Sequence, residues 1–214
     1  MSRTGLINTV KTKIDEISSY DSLIVDVGLE DNNPIDTVID ELLDECAKEV
    51  LLRAPIYRLT PTPSNASAIA DLSKIYTGTI PLPADFVRIA ELKMTEWERP
   101  VTELQQQGSE IAKRQHNRWL RAKSSKPVAI LSSRVQSSVS PPTYTTYPVI
   151  EYYSVKTNHT ISHFTYIKKE VAENIPEWLQ DALCWICASK ILGIYGKANE
   201  SKQALENAVG LLIN

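Results

Sequence analysis

The sequence predicts an α+β fold, a helical bundle of N- and C-terminal helices packed with antiparallel β-hairpins. Three observations carry the prediction. Residues 33–55 and 175–213 place apolar side chains at helical spacing behind clear start signals. Residues 78–101 alternate about two prolines in the manner of a strand, and residues 149–167 are rich in β-branched and aromatic side chains. A chain of 214 residues can bury one sizeable core, and its length does not demand a second. The expected organisation is a single domain over 1–214, with a helical body from 33–55 and 175–213 and a β-rich insertion with loops over 70–168.

In chain order, Leu6, Val10, Ile14 and Ile17 recur at helical spacing, which predicts a short amphipathic helix over 3–18. Residues 19–32 hold Ser, Asp, Asn and Gly around Leu23-Ile24-Val25 and read as a linker with one anchored patch. Asn33 can cap the next helix, Pro34 suits its first position, and Asp36 falls in its positive first turn. Ile35, Val38, Ile39, Leu42, Leu43, Cys46, Ala47, Val50 and Leu51 then form a wide apolar face. Pro55 disfavours helical geometry at Ala54, so the helix should end there after about 20 residues, some 30 Å.

Residues 59–70 read as a surface loop, followed by weak strands at 70–76 and 79–82. Pro81 and Pro83 cannot donate to a ladder and fit an edge or turn ahead of a strand from Phe86 to Met94. Phe86, Arg88, Ala90, Leu92 and Met94 fall on one face of it. Trp97 then sits in a turn and Arg99-Pro100-Val101 begins a return strand, giving a hairpin. A short helix is expected within 103–115, and Trp119 with Leu120 is expected to dock an otherwise solvated loop. A short strand follows at 128–131. Residues 132–147, rich in Ser, Thr and Pro, cannot bury enough apolar surface to order by themselves. Residues 149–155 and 162–167 should pair as a second hairpin across 156–159.

Asn174 or Ile175 is expected to cap the next helix, with Pro176 and Glu177 in its first turn. Trp178, Leu179, Ala182, Leu183, Trp185, Ile186, Ala188, Ile191 and Leu192 make it apolar on nearly every face, so it must be central in a bundle or shared with a neighbour. Gly193 and Gly196 should loosen its end, before a last helix over 199–213.

Net charge is -3, which predicts no general affinity for nucleic acid or membrane. Its distribution is uneven. Residues 1–50 hold 12 acidic against 4 basic groups, whereas Lys113, Arg114, Arg118, Arg121, Lys123 and Lys126 share residues 113–126 with no acid. No apolar run approaches the roughly 20 residues that cross a bilayer, and no hydrophobic signal core opens the chain. Cys46, Cys184 and Cys187 are an odd number, so reduced, buried thiols are expected rather than a disulfide framework.

Cys184-Trp185-Ile186-Cys187 has the spacing of a redox or zinc half-site, but on a helix the same spacing is a core face, and neither a second pair nor a nearby His accompanies it. His116, His159 and His163 share no ligand spacing. Phosphate-cradling glycine motifs and a nucleophile elbow are missing from the sequence. Asp40, Glu41, Asp44 and Glu45 read as a solvated helix face. These residues predict no catalytic group, no metal and no cofactor, and an enzyme is disfavoured. The basic segment with Trp119 admits three readings: a solvated loop with a docking indole, a nucleic-acid surface in which cations meet phosphate and the indole stacks on bases, or a contact for an acidic protein surface.

Five features in fixed order carry a family resemblance: a helix ending in Arg53-Ala54-Pro55, the Leu82-Pro83-Ala84-Asp85-Phe86-Val87-Arg88 entry, Trp97 to Val101, Glu151-Tyr152-Tyr153-Ser154, and Ile175-Pro176-Glu177. From about Asn33 onward the chain resembles the head-to-tail adaptor (connector or ring) proteins of tailed bacteriophages, especially those of short-tailed and crAss-like phages. The first thirty residues have no counterpart in that pattern. The resemblance implies a homo-oligomeric ring, commonly a dodecamer, beneath the portal protein and above tail or second-ring proteins. It also implies a lumen that passes DNA without sequence specificity, and assembly in a host cytoplasm into the virion. Trp97, Arg99, Arg118, Trp119 and Arg121 are the interface candidates, because Trp and Arg are enriched in binding hot spots. The alternative is a sequence-nonspecific DNA-binding module using 113–126.

Overall fold

The structure, a computed structural model, describes residues 1–17, 34–71, 76–117, 119–139 and 142–213, so the linker expected at 19–32 lies outside the described residues. The α+β class holds: helices and antiparallel sheets occupy separate stretches of the chain. They fall into two compact units, Met1–Thr60 with Lys169–Asn214, and Pro61–Lys168.

The first unit is helical. Helix α1 spans Arg3–Ile17 and buries Leu6, Val10 and Ile14, one residue per turn. Helix α2 spans Pro34–Arg53 and buries Ile35, Ile39, Leu43, Cys46, Ala47, Val50 and Leu51. Its acidic side is more than a solvated face. Arg3 of α1 is paired with Asp40 and lies 3.3 Å from Asp44, whose carboxylate also accepts the Ala172 N–H at 3.0 Å.

The last two helices of the chain belong to the same unit, one over Glu177–Ile194 and the other over Ala198–Ile213. The first of them buries twelve side chains and touches all three other helices, as its all-round apolar surface requires. Lys190 on it reaches Glu45 at 2.7 Å and Glu49 at 3.1 Å, so the α2 carboxylates are met from two sides. Two serines fasten the pair: Ser189 Oγ donates to the Ser201 carbonyl and Ser201 Oγ to the Ser189 carbonyl, each at 2.8 Å.

Two expectations about the Glu177–Ile194 helix are corrected. Pro176, and neither Asn174 nor Ile175, occupies its N-cap position, and no side chain caps it. Its end is fastened rather than loosened. Gly196 takes φ +77°, its N–H reaches the Gly193 carbonyl at 3.1 Å, and the Lys197 N–H reaches Leu192 at 2.9 Å, a Schellman closure that only a residue at ease with positive φ makes cheaply.

The second unit is built on two sheets around one apolar core. Its strands are β1 (Thr62–Pro63), β2 (Ile69–Ala70), β3 (Thr77–Pro81), β4 (Phe86–Met94), β5 (Gln105–Gln106), β6 (Ala129–Val139), β7 (Pro142–Tyr153) and β8 (Ile161–Lys168). One short helix, α3 (Glu110–Arg114), is capped by the Ser109 hydroxyl; the Glu177–Ile194 and Ala198–Ile213 helices are therefore α4 and α5. The sheet orders are β1-β8-β4 and β2-β3-β7-β6-β5, antiparallel except for β5 beside β6. Ile80, Ile89, Leu92, Met94, Trp97, Ile150, Tyr152, Val155, Phe164 and Tyr166 meet in the core, so both sheets turn a face to it.

Strand β4 has the expected bounds, and Ala90, Leu92 and Met94 are buried as the alternation demands. Ile89 from the other face is buried as well, because register shifts between Ile89 and Glu91 and elsewhere break the strict period of two. The expected return strand shrinks to one bridge, Leu92 with Val101, and the full partner of β4 is β8. The second expected hairpin does not form either, since β7 and β8 lie in different sheets. Ser154, at φ +73°, ends β7 and redirects the chain.

Residues 132–147 give the largest departure. Strands β6 and β7 pair from Ala129 with Tyr152 out to Val139 with Pro142. A two-stranded ribbon satisfies its backbone from its own partner, so it needs less apolar burial than a loop that must order alone. The surface loop at 59–70 likewise contributes β1 and β2. The weak strand expected at 70–76 falls partly outside the described residues, and that at 79–82 is β3, beginning two residues earlier.

Candidate functional site

Four segments of the second unit enclose a cleft of about 720 Å³: Tyr76 and Thr77 at the start of β3, Glu96 after β4, residues 121–124, and the Tyr153 to Thr157 turn. Each is tied in place by identifiable bonds. The Glu96 carboxylate gathers the N–H groups of Lys156 (2.5 Å), Thr157 (3.0 Å) and Asn158 (2.7 Å) and the Thr157 hydroxyl (2.9 Å). Those donors, the Lys156 N–H foremost, hold its carboxyl down at about 2.

That bond set has a consequence for stability. A carboxyl whose folded value lies below its ordinary 4.5 stabilises the fold fully above 4.5 and progressively less as pH falls through about 2. Glu96→Gln is therefore expected to lower the urea midpoint at pH 7, with the gap to the unmodified protein closing between pH 5 and pH 2, both about. A gap that stays constant across that range would show that the four donors contribute nothing through the charge.

The basic segment begins at α3 and is folded against the same wall. Buried Gln115 donates to the Ile111 carbonyl at 2.8 Å and accepts the Ala122 N–H at 2.9 Å. The Glu98 N–H donates to the Ser124 carbonyl at 3.0 Å. The Arg121 guanidinium lies over the Tyr76 ring at 4.5 Å, a cation–π contact. Tyr76 and Ser154, the two non-glycine residues at positive φ among those described, face each other here: Val155 N–H donates to the Tyr76 carbonyl at 3.4 Å. Ser154 Oγ is buried without a hydrogen-bond partner among the described residues.

The five interface candidates separate. Trp97 is 2% exposed and donates its indole N–H to the Tyr153 carbonyl at 3.0 Å, so it belongs to the core and has no face to offer a partner. Arg99 is exposed away from the cleft lining, and Arg118 lies outside the described residues. Arg121 lines the cleft. Trp119 is 84% exposed and Leu120 60%, which corrects the expectation that they dock the loop: Gln115 and Ser124 do that instead. Tyr76, Glu96 and Lys156 escaped sequence reasoning as site residues, and Ser154 entered it only as the end of the Glu151-Tyr152-Tyr153-Ser154 feature. The four come from three places in the chain, and no spacing in the sequence links them.

Other candidate chemistry resolves into packing. Cys46, Cys184 and Cys187 are free and buried, and burial pushes the Cys184 thiol up to about 12, the reverse of what a nucleophile or metal ligand needs. His159 Nδ1 is 2.7 Å from the Tyr152 hydroxyl, while His116 and His163 are exposed. Among the described residues no cluster of His, Cys, Asp and Glu could hold a metal ion, and no helix is long and apolar enough to cross a membrane. Neither a scan against models of known families nor a search of curated proteins finds a match to this chain.

Proposed function

We propose that this chain is a non-enzymatic assembly protein: a head-to-tail adaptor that forms a homo-oligomeric ring, commonly a dodecamer, between a portal protein and tail or second-ring proteins. DNA passes through the lumen without sequence specificity, and the chain assembles in a host cytoplasm and ends at the head–tail junction of the virion. The observation that carries the proposal is the paired exposure of Trp119 and Leu120 on a loop that is itself tightly fastened. Large apolar side chains exposed on a hydrogen-bonded loop fit a partner surface that would cover them. The ordered features from Arg53 to Glu177 that resemble adaptors support the same reading. Its test is whether the chain copurifies with particles in a fixed, multiple copy number and lies where head meets tail.

A second reading, nonspecific DNA binding by 113–126, is favoured by one feature, the exposed indole among cations. Affinity for DNA that falls steeply with salt would mark it.

A further inference from the structure

We propose that the cleft lined by Tyr76, Arg121, Lys123, Ser154 and Lys156 is a docking site for an acidic, leucine-bearing segment of a partner protein. The inference rests on the assembly reading for the partner being a protein, and otherwise on the cleft alone.

Charge is the first argument. Arg121, Lys123 and Lys156 line one concavity, and none is paired with a carboxylate among the described residues. Glu96, the one acid among the described residues of the wall, already accepts four hydrogen bonds, so it has little capacity left to hold those cations. The surrounding unit is basic. Residues 61–168 carry 13 Lys and Arg against 8 Asp and Glu, a net +5, in a protein whose total is -3.

Donor geometry is the second argument. The Arg121 guanidinium is held 4.5 Å from the Tyr76 ring centre, which restrains a fork able to make bidentate contact with a carboxylate. The Ser154 hydroxyl, buried and without a hydrogen-bond partner among the described residues, lies in the same lining. Positive φ at both Tyr76 and Ser154 is costly local geometry concentrated at this one place.

Apolar surface is the third argument, and it favours protein over nucleic acid. Trp119 and Leu120 immediately precede Arg121 and are both exposed. An indole stacks on a base, but an exposed leucine beside it offers a base little and offers an aliphatic side chain a contact. A segment that places carboxylates on Arg121, Lys123 and Lys156 and an aliphatic residue on Trp119-Leu120 satisfies both halves of the surface.

The test is fluorescence anisotropy with the full chain and two labelled probes: a glutamate peptide of about ten residues with one central leucine, and an oligothymidine of the same length, each at about 0.1 M salt. The peptide is expected to bind, Arg121→Gln to weaken it about tenfold, and Lys156→Gln about threefold. Lys156 is exposed, with no side-chain bond to a described residue, so its substitution is free of the folding penalty that the loss of the Arg121–Tyr76 contact could bring. Lys202→Gln, on an exposed face of α5, should change nothing. No peptide binding, or binding indifferent to Arg121 and Lys156, overturns the proposal. Oligothymidine that binds at least as tightly and is lost with the same substitutions also overturns it, because the cleft is then a nucleic-acid site. Either failure leaves the adaptor reading to be judged separately by where the chain lies in the particle.

Discussion

Trp97→Ala is expected to lower the unfolding free energy of the β-rich unit by about 3–5 kcal/mol, the usual cost of deleting a buried aromatic side chain. The indole is 2% exposed and packs in the core with Leu92, Met94, Val101 and Val155. Its N–H holds the Tyr153 carbonyl, so the substitution leaves a cavity and a carbonyl without its donor. Because Tyr153 and Glu96 line the cleft on either side of that bond, the cleft should loosen with the core. Urea denaturation followed by a probe other than tryptophan fluorescence reads the loss as a lower midpoint at unchanged slope. A change under about 1 kcal/mol, with assembly lost, would restore the interface role that the sequence suggested for this residue.

Gly78→Ala is expected to be comparably severe, about 3 kcal/mol, through overpacking. A Cβ at this position would stand 2.1 Å from the Tyr152 hydroxyl, 2.4 Å from its ring carbon and 2.5 Å from the Ile69 carbonyl. Tyr152 is fully buried and held by His159, and Ile69 belongs to the paired strand β2, so neither neighbour withdraws cheaply. The strain should spread into the pairing of β2, β3 and β7. Thermal melts of Gly78→Ala in a Tyr152→Phe background sharpen the test: removing the hydroxyl should recover part of the loss and no more, since the ring and the carbonyl remain. Full recovery, or no loss at the start, would contradict the close approach of these strands.

The helices were legible because each carries its own evidence. Leu6, Val10 and Ile14 repeat once per turn, Pro34 opens a helix whose far end Pro55 limits, and α4 has no polar face to turn outward. Their ends were less so. Gly196 reads as a loosening residue until the Lys197 N–H is seen to reach Leu192. Strand pairing was the least legible layer. The alternation in 86–94 identifies β4, but nothing local says that its partner is β8, about seventy residues on, rather than the chain just beyond Trp97. Ser, Thr and Pro in 132–147 described side chains with little to bury, while the ribbon there depends on backbone pairing, which composition does not report.

The cleft shows the same division. Arg121 was singled out because a cluster of cations is visible in one stretch of sequence. Glu96 stands beside the more conspicuous Trp97, yet in the structure the tryptophan lies in the core and the carboxylate in the cleft wall. The physical reason is that a turn with three N–H groups pointing one way needs an anion, a demand set by residues 156–158 and invisible at position 96.

The role proposed for this chain is to make surfaces for assembly without breaking a bond. A vertex-focused reconstruction of the purified particle tests it most directly. Density for the helical and β-rich units, repeated about the tail axis in a collar between portal and tail and with the 113–126 loop against a neighbouring chain, is the predicted result. Density for the chain elsewhere in the particle, or its absence from purified particles, would contradict the account.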